Sequence, residues 1–173
     1  DTLSNSGTIL ASGAGTPIAS GTLTGAGTTS YTGNAPDGAV TIDDGTYGTL
    51  TLDNPGTTFN LSGDTAVSGG TLTIPTGNTL DATTNNYGLS VKGNWVNNGT
   101  FTPRAGTVTL SATATQTLTG TSTFYNLTKT VTSAAVLTLP ARVTTTVTNS
   151  LTLQGTIGNL LSLRSSIDGT AAK

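Results

Sequence analysis

The sequence predicts an all-β protein, most simply a parallel β-solenoid with coils of about twenty residues. Two observations lead to this fold class. Short segments alternate threonine or serine with a larger apolar residue, which is the pattern of strands that bury one face. Prolines recur at intervals of 19, 19 and 20 positions, and a period near twenty is typical of stacked repeats. These prolines are Pro17, Pro36, Pro55 and Pro75.

A β-sandwich with strands exchanged between subunits is the alternative fold. Asn98-Gly99 has the sequence of a tight hairpin turn, and strand-like residues stand on both sides of it, at 95–96 and 100–101. Hairpins would make successive strands alternate in direction, whereas solenoid coils keep equivalent residues in line. The period near twenty and the repeated threonine-apolar unit favour the solenoid.

The composition suits one ordered β domain. Only 8% of the 173 residues are charged, about a quarter are threonine, and there are 23 glycines. Threonine is β-branched and favours strands, whereas glycine and asparagine favour the turns between them. The Leu, Val and Ile residues recur at period two, which distinguishes the chain from a disordered polar segment.

Charge and hydropathy exclude two classes of partner. A net charge of −2, with six cations spread between Lys92 and Lys173, gives no basis for binding nucleic acid. No apolar run approaches the length of a membrane span, so we expect no membrane insertion.

The chain begins at Asp1 without Met, which suggests a removed leader, and it lacks the oxidation-prone Cys and Met. These features favour an extracellular or cell-surface location.

Residues 1–38 have the weakest strand pattern. Segments 7–10 and 21–24 resemble strands, but the Ala, Gly and Ser residues between them offer little to bury. Two interpretations stay open. The segment forms the first coils or a cap of the solenoid, or it is an arm that pairs as an added strand with a neighbouring subunit.

Residues 39–173 form the predicted solenoid-like domain. Strands are expected at 49–52, 71–74, 107–110, 136–139, 151–153 and 161–163, most of them next to a turn cluster such as Asp53-Asn54-Pro55-Gly56. In these strands the larger apolar residues share one face and threonine or serine occupies the other. The predicted core residues are Leu50, Leu52, Leu72, Ile74, Val108, Leu110, Leu137, Leu139, Leu151 and Leu153.

Four stretches resemble a known class of repeats. They are Gly93-Asn-Trp-Val-Asn-Asn-Gly-Thr-Phe-Thr-Pro103, Gly106-Thr-Val-Thr-Leu110, Phe124-Tyr-Asn-Leu-Thr128 and Gly158-Asn-Leu-Leu-Ser-Leu-Arg-Ser-Ser166. Over residues 70–166 the chain is similar to the adhesin-like, β-helical repeat regions of large bacterial secreted and cell-surface proteins. The resemblance implies an extracellular structural or adhesive part and no catalytic residue. Such arrays usually continue further, so the stop at Lys173 suggests a self-contained subunit.

The residue types do not favour catalysis or a cofactor. The chain has no His, Cys or Glu, so the usual general bases and thiol nucleophiles are missing. Most of its aspartates stand beside Gly, Asn or Pro and are expected to stabilise turns. Asp43-Asp44-Gly45 lacks the spaced oxygen ligands of a calcium loop. A catalytic pair of carboxylates would have to come from Asp37, Asp43, Asp44, Asp53, Asp64, Asp81 or Asp168.

Other polar and aromatic residues offer weaker binding hypotheses. Trp95, Phe101, Phe124 and Tyr125 would stack on a sugar if exposed, although such residues more often fill a core. Asn60, Asn98 and Asn126 begin N-glycosylation sequons. The threonine pairs 49/51, 71/73 and 107/109 would suit an ice-binding face if they lined up.

The sequence therefore predicts a non-enzymatic extracellular subunit that assembles head to tail with copies of itself into a filament or surface layer. Solenoid ends present unpaired backbone groups, and little in the sequence blocks them. The alternative is an adhesive module of a larger bacterial surface protein that binds surface glycans. Ice binding is a third, weaker hypothesis.

Overall fold

The strands of this chain are short, as the alternating pattern predicts, and every strand pair is parallel, as the period near twenty predicts. The structure is a computed structural model that describes residues 2–18, 22–33 and 39–173; Gly21, Pro36 and Asp37 lie outside these ranges. The described residues form twenty strands, β1 to β20 in chain order, and no helix. The predicted parallel β-solenoid is confirmed, with about 7 turns and coils of roughly 21 residues.

The described strands form three sheets, and the coils that contain all three visit them in the same order. The first sheet contains β1 (Thr2–Ser4), β3 (Thr22–Thr24), β6 (Gly45–Tyr47), β9 (Thr65–Val67), β12 (Leu89–Val91), β15 (Thr107–Leu110), β17 (Ser122–Thr130) and β19 (Thr145–Gln154). The second contains β2 (Thr8–Ala11), β4 (Thr28–Tyr31), β7 (Thr49–Leu52), β10 (Leu72–Ile74), β13 (Trp95–Asn97), β16 (Gln116–Gly120), β18 (Ala135–Leu139) and β20 (Leu161–Ser165). The third contains β5 (Val40–Ile42), β8 (Thr58–Leu61), β11 (Thr79–Asp81) and β14 (Thr100–Thr102).

Register shows how the coil length varies. Paired residues are separated by as few as 19 positions, as for Leu89 and Val108, and by as many as 26, as for Ala135 and Leu161. Pro55 and Pro75 both lie at the corner between the second and third sheets, where a missing N–H costs no ladder hydrogen bond. Corners therefore absorb the changes in length while the strands stay in line.

The core fills the interior of the coils. Alternate residues of β7 and β10 are fully buried, because their side chains point into the stack and are covered by the coils on both sides. Among the predicted core residues, seven are buried: Leu50, Leu52, Leu72, Ile74, Val108, Leu110 and Leu137. Leu139 and Leu153 are partly buried.

Leu151 departs from the core prediction, because 55% of it is exposed. It points inward as expected, since it is paired with the buried Leu127. However, β19 is the last strand of the first sheet, so no further coil of the described chain covers this side chain. The alternating pattern assigns the face of a residue, whereas burial also requires a neighbour on each side.

The third sheet ends at β14, and the last coils are built differently. β17 continues through nine residues, with an irregular register between Phe124 and Asn126. Its first part pairs with Thr145–Val147 and its second part with 150–154, so a bulge replaces the sharp corner between the sheets. The C-terminal coils consequently consist mainly of the first and second sheets.

Asn98-Gly99 forms a corner between β13 and β14, which belong to different sheets, and is not the turn of an antiparallel hairpin. The described residues of the N-terminal segment contribute β1 to β4 to the first two sheets. In the described part of the chain, no helix is long and apolar enough to span a membrane.

Candidate functional site

The C-terminal end of the solenoid exposes an apolar surface. β19 and β20 are the last strands of their sheets, and their inward-facing leucines have a coil on one side only. Leu151 and Leu163 are 55% and 50% exposed, although their register partners Leu127 and Leu137 are buried. Leu153 and Leu161 are partly buried. An apolar cavity of about 110 Å³ opens here, lined by Leu127, Leu137, Leu139, Thr145, Val147, Leu151, Leu153 and Lys173.

The C-terminal tail covers one corner of this end and leaves the two sheets open. Ala172 forms an antiparallel bridge with Ala141, and the amide of Thr145 donates to the carbonyl oxygen of Lys173 over 2.7 Å. The tail therefore lies beside the start of β19. Residues 150–154 and β20 remain the edges of the first and second sheets.

The N-terminal end is also apolar and lies at the opposite edges of the same two sheets. Leu3 of β1 and Ile9 of β2 face the interior, since they are in register with the buried Leu23 and Thr29. Leu3 is nevertheless 38% exposed. A cavity of about 390 Å³ lies here, lined by Leu3, Ile9, Leu10, Ala11, Ser12, Pro17 and Ile18.

A single column of inward-facing residues connects the two ends. Each member is directly in register with the next along the whole first sheet. The column is Leu3, Leu23, Gly45, Thr65, Leu89, Val108, Leu127 and Leu151. Its terminal members are therefore the two half-exposed leucines, and its six internal members are buried or intermediate.

The aromatic residues form a core cluster and do not form a sugar-stacking strip. Trp95 and Phe124 are fully buried and Phe101 is nearly so, with ring centroids 5.0 to 5.9 Å apart. The Trp95 indole donates to the hydroxyl of Ser122, which also accepts from Asn97. Only Tyr125 is partly exposed, in β17 opposite the bulge of β19. Three of the four proposed stacking residues are therefore buried inside the coils and cannot contact a surface glycan.

The three sequon asparagines occupy different environments. Asn98 is exposed at the corner between β13 and β14. Asn60 is half-buried on β8, and Asn126 donates to Thr107 and accepts from the amide of Asn149. Asn98 is thus the most accessible of the three for a glycan.

The aspartates mostly support corners. Asp81 accepts from the Nε and an Nη of Arg104 over 2.9 and 2.6 Å, and it also accepts from the amide of Thr83. The hydrogen bond from Arg104 holds the pKa of Asp81 below its usual range. Asp64 accepts from the amide of Gly88 in the next coil. Within the described ranges, no group of three acidic side chains lies close enough together to hold a metal ion.

A shallow groove crosses four coils on the outer face of the first sheet. It occupies about 460 Å³. Asp44 and Asp64 line it together with the outward-facing Ala66, Ser90 and Thr109. The floor of the groove consists of small side chains that are in register from coil to coil. Their small size is sufficient to account for the groove.

Two buried polar networks were not predicted from the sequence. Lys129 is fully buried, and its Nζ donates to the carbonyl oxygen of Ala112 and to Oε1 of Gln116 over 2.8 and 2.9 Å. Gln116 in turn donates to Val91 and Gly93 in the preceding coil. Burial among these neutral acceptors lowers the pKa of Lys129.

The second network joins Tyr31 and Tyr47 near the N-terminal end. Their hydroxyl oxygens are 2.8 Å apart, and Tyr47 donates to the backbone carbonyl of Asp43. Burial raises the pKa of both phenols. Both networks satisfy polar groups inside the stack, and neither opens onto a substrate-sized cleft.

The threonine pairs proposed for ice binding are divided between two sheets. Thr51 and Thr73 are in register on the second sheet, but the next residue of that column is Val96. Thr107 and Thr109 belong to the first sheet. The three pairs therefore do not form one flat array.

No protein-family model, curated protein or solved structure matches this chain.

Proposed function

We propose that this protein is a non-enzymatic, extracellular structural subunit that joins copies of itself end to end into a filament. The observation that carries the proposal is the state of the two terminal coils. The C-terminal coil presents sheet edges with the inward-facing Leu151 and Leu163, and the N-terminal coil presents sheet edges with the inward-facing Leu3. These side chains are 38% to 55% exposed, and an adjoining coil would cover such side chains.

The low charge of the chain supports this role. Only 8% of residues are charged, and strands β1, β2 and β19 contain no charged residue. Solitary β proteins protect their sheet edges with charges, prolines or covering segments. In the part of the chain that the structure describes, the backbone of the covering segment bonds beside the start of β19, and residues 150–154 and β20 stay at the edges of their sheets.

The resemblance to β-helical repeats of bacterial surface proteins supports an extracellular location. The buried positions of Trp95, Phe101 and Phe124 give the alternative, a glycan-binding module, no aromatic platform. We therefore rank self-assembly above adhesion to glycans.

The decisive experiment places a charge on the exposed end. Leu151→Lys should abolish filaments seen by electron microscopy, or raise the concentration needed for assembly at least about tenfold, because a contact that buries Leu151 would instead bury an ammonium group. The monomer should keep its fold, since this side chain already reaches solvent.

Thr152→Lys provides the matched control. Thr152 is the next residue of the same edge strand, is exposed and faces outward. Its variant adds the same charge at the same end but should still assemble. If the two variants assemble equally well, or if the unmodified protein stays monomeric at high concentration, the proposed function is wrong.

A further inference from the structure

We infer that successive copies join head to tail by direct continuation of two sheets. β1 of one copy would pair in parallel with residues 150–154 in β19 of the copy before it, and β2 would pair with β20. This inference rests on the proposed function and specifies the surface, direction and register of the contact.

The first-sheet column sets the register. Leu3 begins this column and Leu151 ends it, with every intermediate pair directly in line. A copy added without lateral displacement therefore places its Leu3 over Leu151. The two exposed side chains would then cover each other as Leu127 and Val108 do inside the molecule.

The charge distribution opposes the symmetric alternative at the C-terminal end. Three of the six cations, Arg142, Arg164 and Lys173, lie in the last coil and tail, with Asp168 as the one acidic residue after position 140. Two C-terminal ends placed face to face would bring these cations together. Residues 2–18 contain no charged residue, so the N-terminal end can approach without this repulsion.

The other symmetric alternative is a contact between the N-terminal ends of two copies. A contact between two of them would be isologous and would close as a dimer. It would leave Leu151, which ends the first-sheet column and is 55% exposed, uncovered. Only the head-to-tail contact covers both ends and also propagates.

The geometry fixes the repeat of the filament. The first and second sheets each contain eight strands. At a strand spacing of about 4.8 Å, continuation of the sheets gives an axial rise of about 38 Å per subunit. A filament of alternating symmetric contacts would instead repeat at about 77 Å, because two subunits form its unit.

Site-specific cross-linking tests the register. Ser4 and Thr152 are exposed, face outward and stand beside Leu3 and Leu151, so the inferred contact places their Cα atoms about 4.8 Å apart, within disulfide range. The chain has no native Cys. Ser4→Cys and Thr152→Cys proteins, mixed and oxidised, should give a cross-linked dimer that contains one copy of each.

Thr146→Cys is the control on the same strand. Thr146 is exposed and lies six positions before Thr152, about 20 Å along β19, and should not cross-link to Ser4→Cys. Cross-linking of either variant with itself, without the mixed dimer, would overturn the inference.

Electron microscopy separates failure of the inference from failure of the proposed function. Filaments with a rise of about 38 Å support both. Filaments with another repeat, or without the mixed cross-link, leave self-assembly standing and overturn head-to-tail continuation. Absence of both filaments and cross-links overturns both.

Discussion

Leu72 shows at the scale of one residue what holds the coils together. It is fully buried and in register with Leu50 in the coil before and Trp95 in the coil after. Leu72→Ala should lower the free energy of unfolding by about 2–5 kcal/mol, because the coils on both sides cannot collapse into the space that is left. Chemical denaturation measures this change.

Thr73→Ala is the matched control for Leu72. Thr73 is the next residue of β10 and faces outward, between Thr51 and Val96. Its truncation should change the free energy of unfolding by less than about 0.5 kcal/mol. Equal losses for the two variants would contradict the assignment of inner and outer faces.

Asp81 and Arg104 predict a response to acid. Their hydrogen bonds lower the pKa of Asp81 in the folded state, so folding gains stability above the ordinary aspartate pKa of about 4. This gain is lost as the pH falls through the lowered pKa. The free energy of unfolding should therefore decrease less steeply in acid for Asp81→Asn than for the unmodified protein.

A double variant tests whether this acid response belongs to the ion pair. Arg104→Gln should reduce the acid dependence as Asp81→Asn does, and combining the two should add little to either alone. Strictly additive effects would show that the two side chains act independently. Denaturation curves at several pH values between neutrality and about pH 2 would supply the comparison.

The corner glycines act at the scale of the structural element. Gly120 ends β16 with a φ of 79°, and a Cβ there would overlap the carbonyl oxygen of Asn97 in the neighbouring coil. Gly120→Ala should therefore cost about 1–3 kcal/mol or more in unfolding free energy. Gly69→Ala is the control: no atom lies within 4 Å of its added Cβ, so it should be neutral or slightly stabilising. A neutral Gly120→Ala would mean that neighbouring corners are less closely stacked than described.

The strands were the most predictable elements. β7 and β15 were predicted with their observed bounds, because four-residue threonine-apolar alternations were bounded by turn residues. β17 was not predicted at its full length, because its length and its irregular register with β19 depend on where the third sheet ends. That end is decided by tertiary packing, which no local pattern encodes.

The candidate site was predictable only in part. The strand at 161–163 was predicted from its alternating pattern, but the exposure of Leu151 follows from its position in the last coil. Lys129 was not recognised as an interior residue, since a lysine in an alternating strand is ordinarily exposed. Its acceptors, Ala112 and Gln116, are separated from it by 17 and 13 positions and meet it only in the coiled chain.

At the scale of the whole molecule, the stacking of one coil on the next builds the monomer and is also the contact that we propose between copies in the filament. The same parallel pairing that joins β1 to β3 is the pairing we propose between copies. Stability and assembly would then depend on the same kind of contact, and each terminal coil would gain in the filament the second neighbour that it lacks in the monomer. Such continuity between copies would cover the inward-facing leucines that the terminal coils leave partly exposed.

The winding of the chain also determines how the molecule should respond to a pulling force. Successive coils are joined by hydrogen bonds that run along the solenoid axis, so tension applied to the two termini should peel coils away one after another. Each released coil of roughly 21 residues would lengthen the tether by about 70 Å. Optical-tweezer traces should show a series of such steps, and a single release of the whole chain would contradict this view. A filament made of these subunits would then yield gradually under load and dissipate mechanical work before it broke.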